Sequence, residues 1–177
     1  RLLGGERVVG EVGLDFAGRN KDSKAHQAEV FARVLEAIRA CGDGRLVFLH
    51  GVKGCHDMLN MMEDRGTLAG NECVFHWFSG TKDDFGRAVA AGCLFSVNMR
   101  MLATEAGRTF AAAVPADRLL METDSPAHEG DPWSAGAWRQ EAENAVRGIA
   151  EARGMEHAQA AELLAANGER LFDRYCG

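Results

Sequence analysis

The sequence predicts an α/β fold of parallel strands, a TIM (β/α)8-barrel type represented here by five or so consecutive β/α units. Two observations predict it. Short apolar runs alternate with amphipathic stretches five times along the 177 residues, at the ~35-residue spacing of βαβ architecture. Polar residues then stand at the C-terminal ends of four of those runs: Glu11, His50, His76 and Asp124. In a parallel barrel all these ends share one face, and catalytic groups lie there. A doubly wound sheet also accommodates five strands, and a complete barrel takes ~250 residues. Five units would be the C-terminal five-eighths of one, and the count alone leaves both folds open.

The elements follow in order. Residues 7–12 read as a first strand and Arg45–Leu49 as a second. Between them a helix from about Lys24 to Cys41 repeats Phe31, Val34, Leu35 and Ile38 at three and four residues, the period of one buried face. A helix near His56–Arg65 carries Met58, Leu59, Met61 and Met62, and Asn71–His76 is the third strand. Thr81 followed by Asp84 is a T-x-x-D capping box opening a helix whose Phe85, Ala88 and Val89 face inward. Cys93–Val97 is a fourth strand, Thr104–Val114 a helix and Arg118–Met121 the fifth strand. Two helices close the chain, from about Trp138 to Arg153 and from Glu156 to Arg174. No linker or second-domain boundary interrupts them, so residues 1–177 read as a single domain.

Composition narrows the function. Hydrophobic residues at 46% and charged residues at 26% are the balance of a globular domain. No apolar run approaches the ~18 residues that a membrane helix needs. The net charge of −6 argues against a general nucleic-acid coat, which would be basic along one face. It does not argue against an enzyme whose site holds divalent cations. Five cysteines with no C-x-x-C pair and no secretory signal read as buried thiols in a reducing cytoplasm.

Taken singly, a histidine after an apolar strand is an ordinary core or loop residue, and a carboxylate there is a helix cap. Two imidazoles and two carboxylates in register at the ends of parallel strands are instead a ligand set for Zn²⁺, Mn²⁺ or a similar ion. Asp15, Lys53, Trp77, Ser79 and Glu122 stand beside these positions as possible substrate contacts. Against each stands a plainer role as cap, solvated charge, packed ring, turn or ion pair. Phe78 carries the same choice between base stacking and packing, and His128 lies in the loop after Asp124.

The segments G-E-V-G-L-D-F (Gly10–Phe16), L-H (Leu49–His50), F-H-W-F-S-G (Phe75–Gly80) and E-T-D-S-P (Glu122–Pro126) resemble, in order and spacing, the TatD family of metal-dependent deoxyribonucleases within the amidohydrolase group. Asn167 with Leu171-Phe172 is similar to that family's closing helix. The resemblance implies a (β/α)8 barrel and hydrolysis of DNA phosphodiester bonds by a water activated by two divalent metals, Zn, Mn or Mg. It implies that Glu11 bridges both ions and that His50 and His76 bind the second. Asp124 completes the first and handles the proton of the attacking water, which makes Asp124 and Glu11 the catalytic pair. DNA is the implied partner and the cytoplasm the implied location, with no membrane contact. An amidohydrolase acting on a small amide, lactone or ester shares the same metal set, and a non-catalytic partner-binding barrel shares the fold.

Three departures qualify the resemblance. The family's first strand carries H-x-H, which this sequence lacks. The first three β/α units are therefore expected to lie outside these residues, through truncation or on another chain. These residues alone are then expected to bind at most one metal well and to be inactive or nearly so. His50-Gly51-Val52-Lys53 has no arginine where the family has H-x-R, which moves a phosphate contact to Lys53. The Gly-rich segment after Asp124 lacks the family's asparagine–proline pair.

Overall fold

The computed structural model describes residues 6–126, 130 and 132–177. Five parallel strands form one sheet in the order β1 (Val8–Asp15), β2 (Leu46–Val52), β3 (Glu72–His76), β4 (Leu94–Val97), β5 (Leu119–Met121). Spatial order equals chain order throughout. A doubly wound sheet reverses direction at a switch point; this one does not, and its order is that of consecutive barrel units.

Among the described residues eight α-helices connect and cover the strands: α1 (Lys24–Ala40), α2 (Cys55–Asp64), α3 (Thr67–Gly70), α4 (Lys82–Ala90), α5 (Met99–Leu102), α6 (Glu105–Ala113), α7 (Ala135–Arg153) and α8 (His157–Tyr175). Alternation along the strands divides the core in two. Val47, Leu49, Phe75, Phe95 and Leu119 point outward to the helices. There they meet Phe31, Leu35, Met58, Phe78, Phe110 and Ile149 in the larger cluster. Leu46, Val74, Leu94 and Leu120 point to the inner face, which Leu171 and Tyr175 of α8 cover at the foot of the strands. Asn167 pins α8 there by donating to the carbonyls of Ala116 and Leu119 at 2.7 and 2.8 Å.

The expected elements are present with shifted ends. Helix α7 begins at Ala135 rather than near Trp138, because the Ser134 side chain accepts from Ala137 N and caps it. The Thr81–Asp84 box caps α4 in both directions. Cys55, Cys73 and Cys93 are buried as expected, but Cys176 is exposed. Burial pushes the Cys55 thiol up to about 11 and Cys93 to about 12. Among the described residues no helix is long and apolar enough to cross a membrane.

Candidate metal centre

Each inner-facing row of hydrophobic side chains ends in a polar residue at the head of its strand. On β2 the alternation Leu46, Phe48 delivers His50; on β3 Val74 delivers His76; on β4 Leu94 delivers Ser96; beyond β5 Leu120 delivers Glu122. The β1 strand reaches the same face by a bulge. Val9 pairs with Val47 and Val12 with Leu49, so two residues of β1, Gly10 and Glu11, oppose Phe48 alone. A bulge re-aims a side chain, and here Glu11 is turned to the histidines. Gly13 keeps the strands close, since a Cβ there would lie 1.9 Å from the His50 carbonyl oxygen.

A cleft of about 350 Å³ opens at the strand heads, lined by Glu11, His50, His76, Trp77, Ser79 and Asp124 among others. Glu11, His50 and His76 each offer a donor atom within 4.8 Å of the others. Glu11 Oε2 lies 3.6 Å from His50 Nδ1 and its Oε1 3.8 Å from His76 Nδ1. The two imidazoles stand nearly parallel, 5.8 Å between centroids. One carboxylate and two imidazoles so placed fit a divalent cation by donor chemistry.

His76 is the buried member, 6% exposed. Its Nδ1 lies 2.6 Å from Glu122 Oε1, and its Nε2 3.9 Å from Asp124 Oδ1. Burial disfavours its protonation, but the hydrogen bond and charge of Glu122, with the charges of Glu11 and Asp124, outweigh burial and hold its pKa above the ordinary 6.5. Glu122 is itself held by Ser96 Oγ, which donates to its Oε2, and by Asn98 Nδ2, which donates to its Oε1 at 2.8 Å. Asp124 lines the same cleft at the Nε2 edge of His76, outside the three-residue donor cluster. Arg100 Nη2 grips its carboxylate at 2.9 Å and also donates to its carbonyl. The same guanidinium lies 5.5 Å from the Trp77 ring.

The backbone is strained on this face. Among the described residues the non-glycine positions with positive φ are Lys53 (56°), Trp77 (39°) and Asp124 (58°). Lys53 and Trp77 directly follow β2 and β3, and Asp124 lies just past β5. Such conformations cost ~1–3 kcal/mol each and cluster where a site needs them.

The remaining expected contacts separate. Ser79 lines the cleft, its Oγ donating to the Gly51 carbonyl at 2.8 Å. Trp77 lines it too. Asp15 is taken up locally: Oδ1 accepts from Ala17 N and Oδ2 from the Asn20 side chain, at the entry to the 3-10 turn Gly18–Ser23. Lys53 is exposed and not part of the cleft wall. Phe78 is 2% exposed and packs edge-on against Phe75, Phe95 and Phe110 in the core, which excludes it from stacking on a base. His128 lies outside the described residues. Sequence reading missed Ser96, within β4, and Asn98 and Arg100, which follow it. The one signal for them was Glu122, a carboxylate at a strand head that needs partners.

Parallel strands in chain order, carrying a carboxylate–imidazole cluster at their C-terminal ends, define a barrel-type protein with a candidate metal centre. Residues 4–173 match the TatD related DNase family, and the chain belongs to that family. A relative named 3'-5' ssDNA/RNA exonuclease TatD, from Pantoea vagans, is 32% identical over 123 residues, which is 67% of this chain and 45% of the relative. The chain thus spans about half the length of the curated relatives it matches. Its fold is similar to the crystal structure of a TatD homolog from Escherichia coli K12, with a TM-score of 0.73 and 24% identity, covering 93% of this chain and 62% of that one. It is likewise similar to an uncharacterized amidohydrolase from Saccharomyces cerevisiae, with a TM-score of 0.73 and 20% identity over 94% of this chain and 65% of that one.

Proposed function

We propose that these residues carry the catalytic face of a metal-dependent nuclease that hydrolyses phosphodiester bonds of DNA. The observation that supports it most is the Glu11–His50–His76 cluster at the strand heads, with Asp124 at the Nε2 edge of His76. Residues 1–177 act as one domain in this reading. Glu11, His50 and His76 would hold one divalent ion, and Glu11 with Asp124 would contribute to a second. Imidazole donors favour Zn²⁺ or Mn²⁺ over the all-oxygen preference of Mg²⁺. Bound divalent ions lower the pKa of water and neutralise charge on phosphoryl oxygens.

The chain's own residues do the rest. Glu122 accepts the Nδ1–H of His76, which fixes the tautomer and leaves Nε2 as the atom that would ligate an ion, in the cleft that Glu11, His50 and Asp124 also line. Asp124 accepts the proton of the attacking water. Arg100 holds the Asp124 carboxylate and carbonyl together, keeping that base in its positive-φ geometry. The deprotonated water would form the new P–O bond as the ester P–O bond breaks and its alkoxide leaves to take up a proton, and the relatives' name points to single-stranded DNA or RNA.

The test is loss of single-stranded DNA beside a panel of lactones and amides, with and without chelator, using the protein expressed from its whole coding sequence. Chelator-sensitive loss of DNA, abolished in Glu11→Gln, is the expected result. Turnover of the small-molecule panel alone would overturn the nuclease reading and favour an amidohydrolase.

A further inference from the structure

We propose that the strand-head face carries a base-stacking track for single-stranded nucleic acid, running from Trp77 at the metal-centre cleft to Trp133 and Trp138 at the start of α7; it rests on the nuclease reading above. Three successive depressions are lined by one stretch of chain, residues 122–126. Asp124 belongs to the cleft that holds Trp77. Glu122, Thr123 and Ser125 line a middle cavity of about 310 Å³ with Arg100 on its wall. Ser125 and Pro126 line a third, of about 150 Å³, walled by Trp133 and Trp138. Ser125 and Glu141 are shared by the second and third, so the depressions are continuous.

The sequence has three tryptophans, and all three border this path. Trp133 is 62% exposed and Trp138 43%. Tryptophan is usually well buried on average, and two exposed indoles beside a catalytic cleft offer flat π-surfaces to a planar ligand. Trp77 is held in place under the Arg100 guanidinium. Arg100, 40% exposed and ion-paired to Asp124 at 2.9 Å, faces the middle cavity between the aromatic stations, with Glu122 and Glu141 on the same wall. With its charge met by Asp124, it positions the Trp77 ring, and stacking rather than charge is what this path offers a polymer. The Glu141 carboxylate accepts from Ser125 Oγ at the far end of the path, so there the bases rather than the phosphates face the protein.

Stacking accepts any base, because every base has a π-face, and it requires bases free of a partner strand. The track therefore favours single strands over duplex with weak sequence preference. Its loss leaves the metal ligands untouched.

Fluorescence titration in Mg²⁺ tests it, using a short oligothymidylate with phosphorothioate linkages to slow hydrolysis and an abasic oligomer of equal length and linkage. Trp133→Ala and Trp138→Ala each weaken oligothymidylate binding about tenfold, Trp133→Phe retains it, and none changes abasic binding. Equal wild-type affinity for the two oligomers, or variants that bind as wild type does, overturns the track. Wild type that binds neither oligomer overturns it also. The nuclease reading is judged separately by chelator-sensitive loss of DNA: hydrolysis that persists while the variants bind normally sinks the track alone.

Discussion

At the residue scale, Glu122 stands behind the candidate donor cluster without belonging to it. It ties His76 Nδ1 at 2.6 Å and is itself closed by Ser96 and Asn98. A carboxylate behind a ligating imidazole fixes ring orientation, and its loss costs ~10–100-fold in metal affinity. Glu122→Ala is expected to weaken Mn²⁺ or Zn²⁺ binding by that much while circular dichroism stays native. Calorimetry well above neutral pH, where proton competition at His76 is small, checks it; unchanged affinity would remove Glu122 from this role. Glu11, His50, His76 and Asp124 were legible in the sequence because each puts charge or imidazole at the end of an apolar run. Ser96, Asn98 and Arg100 were not: Phe95-Ser96-Val97-Asn98 reads as an ordinary strand and turn, and only the fold aims those side chains at Glu122 and Asp124. Asp15 looked equally suggestive by position, yet its nearest unsatisfied donors are Ala17 N and the Asn20 side chain, and local capping took it.

At the element scale, α4 shows how a local signal sets a stability increment. Asp84 is buried, accepts from Thr81 N and Oγ1, and meets His56 Nδ1 at 3.1 Å. Burial alone would raise its pKa, but the Thr81 hydrogen bonds and His56 outweigh burial and hold it below the ordinary 3.8. A depressed carboxylate stabilises the fold above its unfolded pKa, and that increment is lost as pH falls through the folded value. Asp84→Asn is expected to cost ~1 kcal/mol at neutral pH, the size of a lost cap, and to flatten the loss of stability below pH 3.8. Urea unfolding across acid pH measures both; an unaltered acid slope would refute the assignment. The Thr81–Asp84 signal and the 3.6-residue periods of α1 and α2 made those helices legible. Helices α3 and α5 span four residues each, too short for any period to register. The first turn of α7, Ala135-Gly136-Ala137, carries no apolar face, so only its Ser134 cap marks it.

At the scale of the whole molecule, counting strands could not separate a doubly wound sheet from a barrel-type one, because both are made of identical β/α units. The order β1 to β5 without reversal does separate them, and it also brings every strand head to one face. That convergence brings residues as far apart in sequence as Glu11 and Asp124 into the wall of one cleft. It also sets the limit of these residues alone: the sequence has no H-x-H to complete a second ion, so one tight ion per chain is expected. Saturation at a hundred times Kd adds ~2.7 kcal/mol, which raises the unfolding midpoint by about 5–10 °C for a domain of this size. The central claim is that Glu11, His50 and His76 form a divalent-cation site, and isothermal titration of the 177-residue chain with Mn²⁺ or Zn²⁺ tests it most directly. One ion per chain, lost in Glu11→Gln and in His50→Ala, is the result expected; no binding, or binding that survives both substitutions, would contradict it.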